Sequence, residues 1–116
     1  SSYIEETRLR IDVYRRLAMT DSVPHIREIR DELEDRFGPP TTEVEALLAL
    51  TEIRCLAEQK HILSVESEGN RMKCRRASRK SDDFIMLGSR FPRLTTSDPI
   101  LRLEEVIDFL RNLPKL

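Results

Sequence analysis

At Ile62 the spacing of apolar residues in this 116-residue chain changes from three or four to two, so a helical half must be followed by a stranded one. Upstream, Leu9, Val13, Tyr14 and Leu17 share one arc of a helical wheel, with Arg8, Asp12, Arg15 and Arg16 opposite. They predict an amphipathic helix from about Glu6 to Met19. Ser22 is placed to cap a second helix with Val23, Ile26, Ile29, Leu33 and Phe37 on its inner stripe, which Gly38 stops and Pro39-Pro40 cannot continue. Thr42-Glu43-Val44-Glu45 has the pattern of a capping box, in which each side chain satisfies a free N–H at the other end. The helix it opens reaches about Lys60. Its apolar residues nearly encircle the wheel, as expected of a central helix touched on several sides.

Downstream, Leu63 and Val65 alternate with Ser64 and Glu66, Gly69-Asn70 turns the chain, and Met72 and Cys74 alternate with Arg71, Lys73 and Arg75. This is a β-hairpin with one buried face. Phe84-Ile85-Met86-Leu87, ended by Gly88, fits a third strand or a helical turn. Asp98-Pro99 supplies an N-cap and a first helical residue for a last helix whose inner face is Leu103, Val106, Ile107, Leu110 and Leu113. The fold class is α+β: three N-terminal helices, a small antiparallel sheet and a closing C-terminal helix, expected to form one domain over 1–116.

Twenty basic and 21 acidic residues nearly cancel, so no global field draws the chain to nucleic acid or membrane. Cys55 and Cys74 are too few for a disulfide framework and lack metal-ligand spacing; both read as buried small hydrophobes of a reducing compartment. No apolar run is long enough for a membrane span, and Ser1 to Glu6 lack a signal peptide's basic and apolar regions, so the expected location is cytoplasmic. Opening without methionine, the sequence looks excised from something longer. G-x-x-x-x-G-K-S/T, G-x-G-x-x-G, H-E-x-x-H and G-x-S-x-G are all missing. His25 and His61 have no ligand or acid-base constellation around them and read as surface or capping residues. The expectation is therefore a chain with no catalytic residue, cofactor or metal.

Two charge clusters remain. Gly69 to Lys80 holds Arg71, Lys73, Arg75, Arg76, Arg79 and Lys80 without a carboxylate. Arg71, Lys73, Arg75 and Arg76 are candidate nucleic-acid contacts, but the segment has no aromatic residue for base stacking, and a solvated strand face that protects an edge explains it better. In the second helix Glu28, Asp31, Glu32 and Asp35 fall at i, i+3, i+4 and i+7, a stripe opposite the apolar one. Like charges at that spacing cost a few tenths of a kcal/mol per pair. Arg27 and Arg36 offset some of it. The stripe is either a solvated face or a docking surface for a basic partner. Arg10 projects between Leu17 and Tyr14 inside the apolar arc of the first helix, where a guanidinium needs carboxylate or carbonyl partners; it is expected to tie that helix to a neighbour.

Tyr3-Ile4, Arg10 and Tyr14-Arg15-Arg16-Leu17, then Glu32-Leu33-Glu34-Asp35-Arg36-Phe37-Gly38 with Val44 and Leu47-Leu48, form a specific combination. It resembles the C-terminal regulatory domain of bacterial transcription-repair coupling factors from Tyr3 to about Lys60, and fades beyond His61. Two departures fall in connecting segments: Glu5 stands where the family commonly has proline, and Pro39-Pro40-Thr41 shifts a family proline by one position. The resemblance implies a parent that is an ATP-driven DNA translocase displacing stalled RNA polymerase and recruiting excision-repair proteins. It implies that the terminal domain is not an enzyme, and that it packs on the parent's N-terminal repair module and hides that module's recruitment surface, an autoinhibitory contact. Glu32, Asp35 and Arg36 are the interface residues the resemblance implies. The acidic stripe, read from spacing, adds Glu28 and Asp31.

Overall fold

Helix α1 spans Thr7–Met19, α2 Val23–Phe37 and α3 Thr42–Gln59; strands β1, Ile62–Glu68, and β2, Arg71–Arg76, precede α4, Pro99–Asn112. The computed structural model describes residues 3, 4 and 6–114, and the chain divides into two units, Ser1–Cys55 and Leu56–Leu116. Glu5, one of the two departures from the family pattern, and the Ser1-Ser2 start lie outside the described residues.

In the first unit Val13 and Leu17 from α1, Ile26, Ile29 and Leu33 from α2, and Leu48 and Cys55 from α3 enclose Ile4 in one buried core. Truncating a leucine or isoleucine buried as deeply as Leu17, Ile29 or Leu33 costs about 2–5 kcal/mol. The inner stripes of α1 and α2 are those of the wheels, except that Tyr14 stays half exposed. Ser22 caps α2 by accepting from the His25 N–H at 3.3 Å, and the Gly38 N–H closes the other end on the Glu34 carbonyl at 2.9 Å. Gly38 sits at φ +83°, a backbone that side chains strain.

The start of α3 departs from the expected capping box. Thr41, one residue earlier, accepts from the Val44 N–H at 3.3 Å, and Glu45 is turned to Arg30 of α2. With Thr41 as the N-cap, Val44 takes the third helical position and Glu45 the fourth, one residue past the place from which a capping box reaches back.

In the second unit β1 and β2 pair antiparallel around Gly69, whose φ of +60° suits the first position of a II′-type turn. The register slips between Ile62, opposite Arg76, and Ser64, opposite Arg75. Leu63 is the extra residue of this bulge and is 69% exposed, which corrects its expected place on the buried face. Met72 and Cys74 are buried as expected. Segment 84–87 is neither strand nor helical turn. Phe84 bridges Arg75 at one point, the chain reverses between Leu87 and Arg90, and Arg93 bridges Arg71. Proline at 92 has no N–H with which to extend a ladder. Asp98 caps α4 through the Leu101 N–H at 2.9 Å, and Val106, Ile107 and Leu110 are buried. Arg102 donates to the Gly69 carbonyl at 2.7 Å and to Asn70 Oδ1 at 2.9 Å, fixing the hairpin turn against this helix. Lys60, buried, donates to the Arg111 carbonyl at 3.3 Å and to that of Leu113, so its charge meets the negative end of α4.

Candidate functional site

The family-like segment Glu32 to Gly38 divides by direction. Leu33 enters the core, Phe37 packs against it and meets the Tyr3 ring edge-on at 5.6 Å, and Gly38 closes the helix. The Tyr3 hydroxyl lies between two carbonyls of that segment and shares its one proton between Leu33, at 3.0 Å, and Gly38. Tyr3 and the motif are therefore halves of one structural tie. Burial raises the Tyr3 pKa above its ordinary value, with Glu34 reinforcing it.

The remaining residues point outward. Glu28, Asp31 and Asp35 are exposed, and Arg36 is exposed with its guanidinium 5.2 Å over the Phe37 ring. Among the described residues none of these three carboxylates is in an ion pair. Glu32 differs from its neighbours: Arg16 of α1 donates to both of its oxygens, at 2.5 and 3.1 Å. That hydrogen bonding holds the Glu32 carboxyl below the usual carboxylate range. Arg30 is engaged in the same way, with Glu45 and, at 3.4 Å, with Glu34. The acidic stripe thus presents three open carboxylates and one already committed to the fold.

Arg10 does not tie α1 to a neighbour as the wheel suggested. It donates to Thr7 Oγ1 at 3.2 Å, one turn back on its own helix, and lines an open groove of about 380 Å³ with Tyr3, Tyr14 and Val44. The ties are made by Arg16 and by Arg54 of α3, which donates to the Leu17 and Thr20 carbonyls at 2.8 and 2.9 Å. A long flexible side chain can leave the arc its Cα occupies, and a wheel does not show that.

On the hairpin Arg71, Lys73 and Arg75 share one face of β2. Glu68 lies 3.6 Å from Arg71 and 3.7 Å from Lys73, Glu66 stands opposite Lys73, and Asp82 lies 3.5 Å from Arg75. Arg76 turns partly inward, and its Nε, like that of Arg75, is buried without a hydrogen-bond partner. The aromatic residues missing from the basic segment arrive from the following loop. Lys73 Nζ lies 5.0 Å from the Phe84 ring and 5.6 Å from that of Phe91, and Arg75 lies 5.4 Å from Phe84. Sequence reading missed them because they lie just outside the basic run, in a loop with no periodic signal to place their rings. His25 Nδ1 lies 2.9 Å from Thr20 Oγ1 beside the α2 cap, and His61 is an exposed residue at φ +58°. Among the described residues no cluster of His, Cys, Asp and Glu could hold a metal, and no helix is long and apolar enough to cross a membrane.

A family model described as "TRCF domain" matches residues 1–87. The transcription-repair-coupling factor of Haemophilus influenzae is 28% identical over 127 residues, covering 96% of this chain and 11% of that protein. That of Bacillus subtilis is 30% identical over 67 residues, 58% of this chain and 6% of that protein, and that of Staphylococcus aureus 33% over 69 residues, 60% and 6%. The chain spans about a tenth or less of the length of the curated relatives it matches.

Proposed function

The chain belongs to the TRCF domain family, and from that premise we propose that it is a non-catalytic docking module of a transcription-repair coupling factor acting in transcription-coupled DNA repair. Its α2 face, Glu28, Asp31, Asp35 and Arg36 with Glu32 at the edge, docks on a basic surface of the parent's N-terminal repair module and masks the surface that recruits excision-repair proteins. RNA polymerase and DNA act on it indirectly, through an ATP-driven parent in the cytoplasm. No cofactor takes part.

The observation that carries this reading is that the motif helix spends Leu33, Phe37 and Gly38 on the fold while Asp31, Asp35 and Arg36 face solvent. Three open carboxylates on one rigid helix give a partner's cations a fixed target, which sets register and specificity. A parent protein carrying Asp31→Lys and Asp35→Lys should bind its repair partner in a pull-down without polymerase; a parent that stays closed overturns the reading. A second reading, nucleic-acid binding by Arg71, Lys73, Arg75 and Arg76, gains support from the Phe84 and Phe91 rings beside them.

A further inference from the structure

Arg71 and Arg93 face each other across an isolated antiparallel bridge, flanked by the Met72 N–H donating to the Pro92 carbonyl and the Leu94 N–H to that of Asn70, both at 2.8 Å. Bonds in those places make the two arginines a non-hydrogen-bonded pair, the arrangement in which facing side chains lie closest and like charges destabilise. Arg90 joins them from the turn at Gly88, which takes φ +64°. With Met86, Ser89 and Phe91 the three arginines line an open groove of about 450 Å³. Glu68 is 3.6 Å from Arg71, but among the described residues no ion pair reaches Arg90 or Arg93.

We propose that this groove binds the phosphates of single-stranded nucleic acid. Guanidinium forks match phosphate oxygens two at a time, and an anion between Arg71 and Arg93 relieves the repulsion the bridge imposes. A groove for a small anion needs no apolar wall, whereas Phe91 and Met86 supply the surface on which an unpaired base rests. The track continues along β2, where Lys73 and Arg75 follow Arg71 at steps of about 7 Å. The site is independent of the α2 docking face. Arg90 and Arg93 also lie past residue 87, where the family match ends.

The test is fluorescence anisotropy of a labelled oligothymidylate titrated with the 116-residue chain. The three groove arginines by themselves contribute about −2 to the slope of log K against log salt, or roughly a 20-fold loss between about 50 and 200 mM salt, and Lys73 and Arg75 steepen it further where the strand follows β2. Arg90→Gln with Arg93→Gln should weaken binding at least about tenfold and flatten that slope by about 1.4, while Asp31→Asn with Asp35→Asn leaves both unchanged. Both arginines are exposed, so the melting temperature should hold within a few degrees. Absent binding at low salt, or an unchanged slope in the folded arginine variant, overturns the proposal. Unlabelled polyglutamate displacing the oligonucleotide as well as unlabelled oligothymidylate of equal charge also overturns it, in favour of an acidic protein segment; weaker displacement supports it.

Discussion

Arg16 of α1 grips both carboxylate oxygens of Glu32 on α2, at 2.5 and 3.1 Å. The pair is partly solvated, with side chains 31% and 42% exposed, so it contributes on the scale of a well-oriented surface bridge, about 0.5–1 kcal/mol. Arg16→Ala should therefore lower the urea midpoint more than Arg10→Ala, the reverse of what the wheel position of Arg10 implies. A larger loss at Arg10 would show that its guanidinium is held by more than Thr7.

The Arg30–Glu45 pair makes the first unit acid-sensitive. Hydrogen bonding to Arg30 holds the Glu45 carboxyl below its ordinary value of 4.5, and Arg16 does the same for Glu32. A depressed carboxylate stabilises the fold fully above its unfolded pKa and loses that contribution as pH falls through the folded one. Melting temperatures should hold between about pH 7 and 5 and drop below about 4.5, and Glu45→Gln should start lower and drop less. Parallel pH profiles for the variant and the parent chain would contradict this assignment.

Tyr3→Phe keeps the ring contact with Phe37 and removes the hydroxyl from the Leu33 and Gly38 carbonyls. The expected cost is about 1 kcal/mol by denaturant titration. Because the folded pKa of Tyr3 is raised above 10.0, its contribution is present below that value and fades as pH climbs beyond it. A tyrosine variant as stable as the parent at neutral pH would show that water serves those carbonyls equally well.

Burial pushes the Cys74 thiol up to about 11, and Cys55 is equally inaccessible. Neither should react with a thiol reagent in the folded chain near pH 7.5, and both should react in denaturant. Rapid labelling of native Cys74 would mean that the hairpin opens far more often than its burial implies.

What was legible in the sequence is what local chemistry decides. Ser22, Gly38 and Asp98 mark helix ends because each satisfies a backbone group within a few residues of itself, and the hairpin follows from Gly69-Asn70 between alternating runs. What was not legible depends on neighbours distant in sequence. Glu45 pairs with Arg30, fifteen residues earlier, Leu63 turns out because Arg75 and Arg76 are matched to Ser64 and Ile62, and Phe84 and Phe91 reach Lys73 through a loop with no periodic signal. The acidic stripe was visible by spacing, but that Glu32 is spoken for by Arg16, sixteen residues earlier, was not.

That commitment of Glu32 makes Asp31 and Asp35 the cleaner probes of docking, since reversing Glu32 would also set a lysine against Arg16. Calorimetric titration of the parent's separately produced N-terminal repair module into the 116-residue chain tests the docking claim most directly. Asp31→Lys with Asp35→Lys should keep the fold and lose binding by roughly a hundredfold or more, because like charges set face to face at an interface cost several kcal/mol. Arg71→Glu with Lys73→Glu should bind as the parent chain does. If the hairpin variant loses the module and the α2 variant keeps it, the acidic stripe is a solvated helix face and the docking assignment is wrong.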